Sequence, residues 1–143
     1  MYKTILIALE NSPTDEVILR HIRGLARALH SRLILMHVAD GHAARNQKQL
    51  NLEDSPEIRA DREYLATRQA ELASEGFDVR TALALGDPAT ELVAEAARAG
   101  CDLIAMATHG HKGVKDVVLG SVASAVRHKT EVPVLMVKAP AKK

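Results

Sequence analysis

The sequence predicts an α/β fold, a parallel sheet with helices on both faces, and three observations carry that expectation. Five short apolar runs recur along the chain, as strands buried in a parallel sheet should. Segments with apolar residues at helical spacing lie between them, and such alternation is the signature of βαβ units. Most of the helical segments are bracketed by capping and turn residues, such as Ser12-Pro13, Gly76, Gly86-Asp87-Pro88 and Gly100.

The elements follow in order. Thr4 to Leu9 is a continuous apolar strand. Glu10-Asn11-Ser12-Pro13 is turn chemistry, with Ser12 suited to an N-cap and Pro13 to the first helical position. Val17, Ile18, His21, Ile22, Leu25, Ala28 and Leu29 then recur at helical spacing. Arg32 to Val38 is the second strand. Gly41 to Pro56 is polar, without an apolar period, and long for a loop in a compact domain, so it reads as a functional or mobile segment. Pro56 to Glu75 predicts a charged amphipathic helix anchored by Ile58, Tyr64, Leu65 and Leu72 and ended by Gly76. Phe77 to Leu85 is the third strand, with less regular alternation. Gly86-Asp87-Pro88 turns into a helix over Ala89 to Ala99, closed by Gly100. Asp102 to Ala107 is the fourth strand, Val122 to His128 a helix, and Pro133 to Lys138 the fifth strand.

Composition narrows the function. The 143 residues fit one domain, 1–143, large enough to bury its own core. A net charge of +1 and the absence of a dense basic stripe exclude wholesale nucleic-acid binding. Tyr2, Tyr64 and Phe77 are the whole aromatic set, too few for a base-stacking surface. The single Cys101 excludes an internal disulfide and reads as an inert small hydrophobe. No run is long enough to span a bilayer, and the opening Met1 to Ile7 is too short for a signal peptide, so a cytoplasmic location is expected.

In a parallel sheet, ligands bind at the carboxyl ends of the strands where strand order reverses. The candidate loops are Leu9-Glu10-Asn11, Val38-Ala39-Asp40 and Ala107 to Gly120. The last is the most informative stretch of the chain. Ala107-Thr108-His109-Gly110 is followed by nine residues and then Gly120-Ser121, between an apolar strand and a helix. Glycine brings bare backbone N–H groups close to an anion, and a helix N-terminus adds free donors and partial positive charge. His109, His111, Lys112 and Lys115 make the loop cationic. This combination reads as a phosphate cradle, and phosphate points to a nucleotide. Taken singly, Gly110 and Gly113 are equally turn-formers, Ser121 a plain N-cap, Glu10 a solvated strand-end acid and His37 a hydrogen-bonded structural histidine. Met36, Met106 and Met136 read as core.

With these pieces in place, the chain resembles the universal stress protein family over nearly its whole length. The matching residues are Lys3 to Ala8, Gly86-Asp87-Pro88, Asp102 to Gly110, Leu119-Gly120-Ser121-Val122 and Val132 to Val137. The resemblance implies a Rossmann-like, five-stranded parallel sheet in order 3-2-1-4-5, of the adenine nucleotide alpha-hydrolase-like type. It also implies a homodimer pairing through Val132 to Val137. One branch of the family binds ATP through Gly, two residues, Gly, nine residues, Gly, then Ser or Thr; the other binds no ATP and acts as a dimeric interaction module. Gly110, the nine-residue spacer, Gly120 and Ser121 match the ATP pattern. Ala107 replaces its first glycine, and Glu10 replaces the aspartate that follows the first strand. Carried over, the pattern sets Ala8 and Val38, with the neighbouring Leu9, beside adenine and ribose, and Glu10 on the ribose. It sets Met106 and Ala107 under the nucleoside, and Gly110, Gly120, Ser121 and Val122, with His109, at the phosphates. The implied ligand is ATP, or ADP or AMP, with Mg²⁺ held by the phosphates.

Two other chemistries share these residues. Thr108-His109-Gly110-His111 fits a short nucleotidylyltransferase pattern, but there the pattern follows the first strand rather than the fourth. His109 and His111, with His42 or Asp40, are a conceivable Zn²⁺ set, although no CxxC or HExxH signature accompanies them. No Ser-His-Asp elbow, paired-carboxylate spacing or Walker loop is present. The expectation is a stress-response or regulatory binding protein with an unidentified protein partner, at most a slow ATPase. Bound ATP is expected to order the 41–56 and 110–120 loops.

Overall fold

The computed structural model describes residues 1–39, 55–108 and 114–140, with 114–121 described by backbone alone. Among the described residues nine elements alternate: β1 (Thr4–Ala8), α1 (Asp15–Leu29), β2 (Arg32–Ala39), α2 (Pro56–Ser74), β3 (Val79–Leu85), α3 (Pro88–Ala99), β4 (Leu103–Thr108), α4 (Val114–Lys129) and β5 (Val134–Lys138). All strand pairs are parallel, and the order is β3-β2-β1-β4-β5. The chain runs outward from β1 to β3 and then restarts on the other side of β1 with β4. The strand order therefore reverses between β1 and β4.

Alternation along the strands divides the core into two. Ile5, Ile7, Leu33, Leu35, Leu103 and Ala105 join Ile18, Leu19, Ile22, Leu65 and Leu72 on one face. Leu6, Ile34, Met36, Ile104 and Met106 join Leu92, Ala96, Ala123 and Val126 on the other. Each central strand is apolar on both faces because each face carries a helix layer. The helix α2 buries Ile58, Leu65 and Leu72, seven residues apart, while Tyr64 is half-buried. That is a narrow stripe on an otherwise charged helix.

Local chemistry fixes most boundaries. Ser55 accepts from the Ile58 N–H at 3.2 Å and Asp87 from the Thr90 N–H at 2.9 Å, with Pro56 and Pro88 in the first turns. Gly100 closes α3 at φ 68°, where a side chain would be strained. Two helix starts differ from the sequence expectation. Ser12 does not cap α1: Thr14 stands at the cap position without a side-chain bond, and the helix begins at Asp15. Further along, α4 begins at Val114, so Gly120 and Ser121 lie inside the helix rather than at its N-terminus. Val114, Val117 and Val118 continue a helical spacing toward Ser121, and one interior glycine costs only about 1 kcal/mol.

Asp15 takes the role expected of Ser12, with a wider reach. It is 1% exposed. Its Oδ1 accepts from the Glu10 N–H at 2.9 Å; its Oδ2 accepts from Asn11 N–H at 2.9 Å, Ser12 N–H at 3.3 Å and Tyr64 O–H at 2.5 Å. Asn11 adopts φ 63°, a left-handed conformation that asparagine tolerates. Burial, followed by the bond to Asp15, raises the Tyr64 hydroxyl far above its ordinary pKa, so it remains a donor. Arg68 donates to the Tyr64 oxygen at 3.3 Å, pairs with Glu16 and Glu71, and lies over the Tyr64 ring at 5.3 Å. Thus α2 is tied to α1 and to the loop after β1 by one polar network.

At the opposite end of the sheet, Asp102 accepts from the Lys3 N–H at 3.0 Å and the Thr4 N–H at 3.1 Å. Partial burial raises its carboxyl, but those backbone donors outweigh it, and the net pKa is lowered. Burial, aided by the Glu95 charge, pushes the Cys101 thiol up to about 11, which leaves it protonated and unreactive.

Asp15→Ala strands three loop amides and a buried hydroxyl and is expected to cost about 2–4 kcal/mol in urea denaturation; a loss under about 1 kcal/mol would mean that water replaces the carboxylate. Asp15→Asn, which keeps an acceptor, is expected to cost less. Asp102 has a lowered folded pKa, so its contribution is present above the unfolded value of about 3.9 and fades as pH falls through the folded value. Asp102→Asn is therefore expected to lower stability by about 1 kcal/mol at neutral pH, and the gap to wild type should close in strong acid.

Candidate functional site

The strand registers bring three carboxyl ends level. Ala8 of β1 lies opposite Met36 of β2, and Ile7 opposite Ala105 of β4. Beyond them the chain opens into a cavity of about 430 Å³ at the β1/β4 reversal. This volume is within the usual range for a small-molecule site. The reversal leaves the two following connections diverging to opposite faces, which is why a crevice forms there.

The walls come from six places. Ala8, Leu9 and Glu10 enter at the end of β1, and Met36, His37 and Val38 at the end of β2. Met106 and Ala107 come from β4, Val122 from α4, and Pro88 and Leu92 from α3. Ser12 and Asp15 close the side formed by the loop after β1. The lining is mostly aliphatic, with an acidic rim. Glu10 accepts from the Ser12 hydroxyl at 3.1 Å, on a loop whose amides are fixed by Asp15.

Seven of the sequence-predicted residues, Ala8, Leu9, Glu10, Val38, Met106, Ala107 and Val122, thus share one cavity. His109 and Gly110 lie outside the described residues, as do His111, Lys112, Asp40, His42 and the 41–54 part of the long polar loop. The Zn²⁺ set and most of the nucleotidylyltransferase pattern fall there too. Among the described residues no group of three or more His, Cys, Asp or Glu is placed to hold a metal. Gly120 and Ser121 are described as helix backbone only, one and a half turns into α4, and in this conformation the free N–H groups belong to the turn that begins at Val114.

Six lining residues were not named as site residues from the sequence. Ser12 was read as a cap, Met36 as core and His37 as structural; Asp15, Pro88 and Leu92 carried no site signal. His37 is hydrogen-bonded, as expected, through Nδ1 to the Leu9 carbonyl at 2.8 Å. Its Nε2 lies 3.2 Å from Asp61 Oδ2, and Asp61 Oδ1 accepts from the Asn11 side chain at 2.9 Å. Asp15 could have been found from its place in the first turn after a Ser-Pro-Thr stretch, where a carboxylate meets free amides. Nothing local marks Asp61, which meets His37 only through the packing of α2.

An aliphatic slot edged by the Glu10 and Asp15 carboxylates suits a flat, weakly polar ring carrying hydroxyl donors. It offers no described Lys or Arg for a phosphate. The described walls therefore fit the base and sugar of a nucleoside, and phosphates would fall to the 109–121 stretch.

Comparisons with known proteins agree with the fold. A family model described as the universal stress protein family matches residues 1–138. The chain is 31% identical to the universal stress protein MJ0577 of Methanocaldococcus jannaschii, covering 96% of each chain. The solved structure of MJ0577 superimposes with a TM-score of 0.83 over 99% of both chains. A universal stress protein in complex with cAMP aligns at TM-score 0.73 and 20% identity, over 96% of this chain and 97% of that one. The universal stress protein from Archaeoglobus fulgidus in complex with dAMP aligns at TM-score 0.70 and 21% identity, over 96% and 98%. With a family model that spans residues 1–138 and a relative 31% identical over 96% of both chains, the chain belongs to the universal stress protein family.

Proposed function

We propose that the chain is an adenine-nucleotide-binding regulatory protein, with ATP its fullest ligand and ADP or AMP also accommodated. The observation that carries the reading is the 430 Å³ cavity at the sheet's reversal point, lined by Ala8, Leu9, Glu10, Val38, Met106, Ala107 and Val122. Relatives of the same fold have been solved with cAMP and with dAMP, which supports an adenine nucleoside monophosphate unit as the shared ligand chemistry. In this reading the base lies between Ala8, Val38 and Met106, and the Glu10 carboxylate accepts from ribose hydroxyls. The phosphates, with any Mg²⁺ they carry, fall to His109, Gly110, Gly120 and Ser121. In this reading the role is binding and signalling, with hydrolysis at most slow.

The same reading places the protein in the cytoplasm as a homodimer. Among the described residues no helix is long and apolar enough to cross a membrane. The strand β5 is a sheet edge, with Val134, Leu135 and Val137 half-buried and Met136 40% exposed. An apolar edge strand of this kind invites pairing with another copy. A second reading, a dimeric interaction module without nucleotide, is favoured by Ala107 and Glu10, which depart from the family's ATP pattern.

Calorimetric titration with ATP and Mg²⁺ is expected to show saturable binding, and Ala8→Leu, which fills the slot, to weaken it at least about tenfold. Gly120→Val is expected to weaken ATP more than AMP, because only phosphate contacts are lost. No heat with any adenine nucleotide would favour the interaction module. Light scattering at micromolar concentration is expected to give a dimer, and Met136→Lys to shift it toward monomer; a wild-type monomer would refute the β5 pairing.

A further inference from the structure

We infer that His37 is held as an imidazolium between the Leu9 carbonyl and the Asp61 carboxylate, and that this proton sets the cavity rim, so that nucleotide binds more tightly in mild acid than in alkali. A carbonyl oxygen can only accept, so Nδ1, 2.8 Å from the Leu9 oxygen, carries a proton. Nε2 then faces Asp61 Oδ2 at 3.2 Å, and a carboxylate is likewise an acceptor. A neutral ring protonated at Nδ1 would set its bare Nε2 lone pair against that carboxylate. With Asp61 ionised, only the doubly protonated ring satisfies both contacts.

The surroundings favour the cation. The ring contacts the Leu9 carbonyl and Asp61 of α2, the Glu10 and Asp15 carboxylates line the same cavity, and the β3 partner in register is the uncharged Leu83. Tyr64 of α2 is engaged as a donor to Asp15, and Arg68 with Tyr64, Glu16 and Glu71. Among the described residues lining the cavity there is no Lys or Arg. The pair itself is shielded: the side chains of His37 and Asp61 are 13% and 15% exposed.

The proton acts on the site through the rim. Asp61 receives His37 on one oxygen and the Asn11 side chain on the other. Asn11 stands at φ 63° directly after Glu10, and Leu9, whose carbonyl His37 holds, directly precedes it. The imidazolium therefore anchors both sides of the Glu10 position and ties them to α2. A cation that gains partners in the formed site contributes while it is protonated, and that contribution is lost when the proton leaves.

The binding half of this inference rests on the nucleotide reading; the protonation half does not. Asp61→Asn is the informative variant. Its amide oxygen can still accept from Asn11, while its NH₂ can donate to a neutral Nε2, keeping the geometry without the extra proton. Long-range ¹H–¹⁵N spectra of ligand-free wild type at pH 6 are expected to show two N–H groups on His37, and those of Asp61→Asn only one. A single N–H in folded wild type at pH 6 would overturn the inference. ATP affinity in wild type is expected to fall about five- to tenfold more between pH 6 and pH 8 than in Asp61→Asn. The comparison cancels the titration of ATP itself and of other histidines. An equal pH dependence in both proteins would overturn the coupling. No ATP binding at either pH would defeat the nucleotide reading and with it the binding half, while the spectra would still decide the proton.

Discussion

The Asp15 carboxylate, at the first residue of α1 and 1% exposed, accepts three successive backbone N–H groups and the Tyr64 hydroxyl. These donors come from two parts of the chain, the loop after β1 and the middle of α2, which the Asn11–Asp61 hydrogen bond also joins. Four donors are enough to offset the desolvation of a buried carboxylate, and removing the acceptor would strand the amides. The loop therefore has one preferred path, which holds Glu10 at the cavity rim and lets Asn11 rest in a left-handed conformation. Without that fixed path, the sheet would still have a reversal point but no defined wall on this side of it.

The sheet and the rim are stabilised by different physics. Strands β1, β2 and β4 are locked by apolar burial on both faces, with Ile5, Leu6, Ile7, Ile34 and Leu35 fully inaccessible. The cavity lies where that burial stops and polar contacts take over: His37 with Leu9 and Asp61, and Asp15 with its four donors. A rigid floor with a hydrogen-bonded wall is a sound arrangement for a ligand that needs both a flat apolar contact and a few directed acceptors.

Much of this was legible in the residues. The alternation of apolar runs with helical periods gave the layers, and Gly100 and the Asp87-Pro88 pair marked their helix ends because their chemistry is local. The rule that ligands gather at the carboxyl ends of strands picks out the loops that begin at Leu9, Val38 and Ala107, and the family resemblance adds Ala8 and Met106. What the sequence hid depends on distance along the chain. Asp15 and Tyr64 are separated by 49 residues and His37 and Asp61 by 24, so no periodicity connects them. The start of α4 was misplaced for a different reason: Gly120 looks like a boundary, but an apolar spacing on both sides of it carries the helix through.

The narrow footing of α2 has a consequence for how the protein moves. Ile58, Leu65 and Leu72 are its fully buried side chains, so the helix has few apolar contacts to lose and belongs to the low-stability end of the fold, where sub-global opening occurs. The same helix carries Asp61 and Tyr64, the two groups that reach the cavity rim. Detachment of α2 and loosening of the rim are then one cooperative event, and by reciprocal linkage anything that settles in the cavity protects α2 to the same extent. Occupancy at the top of the sheet is thereby coupled to how firmly an outer, charged helix is held.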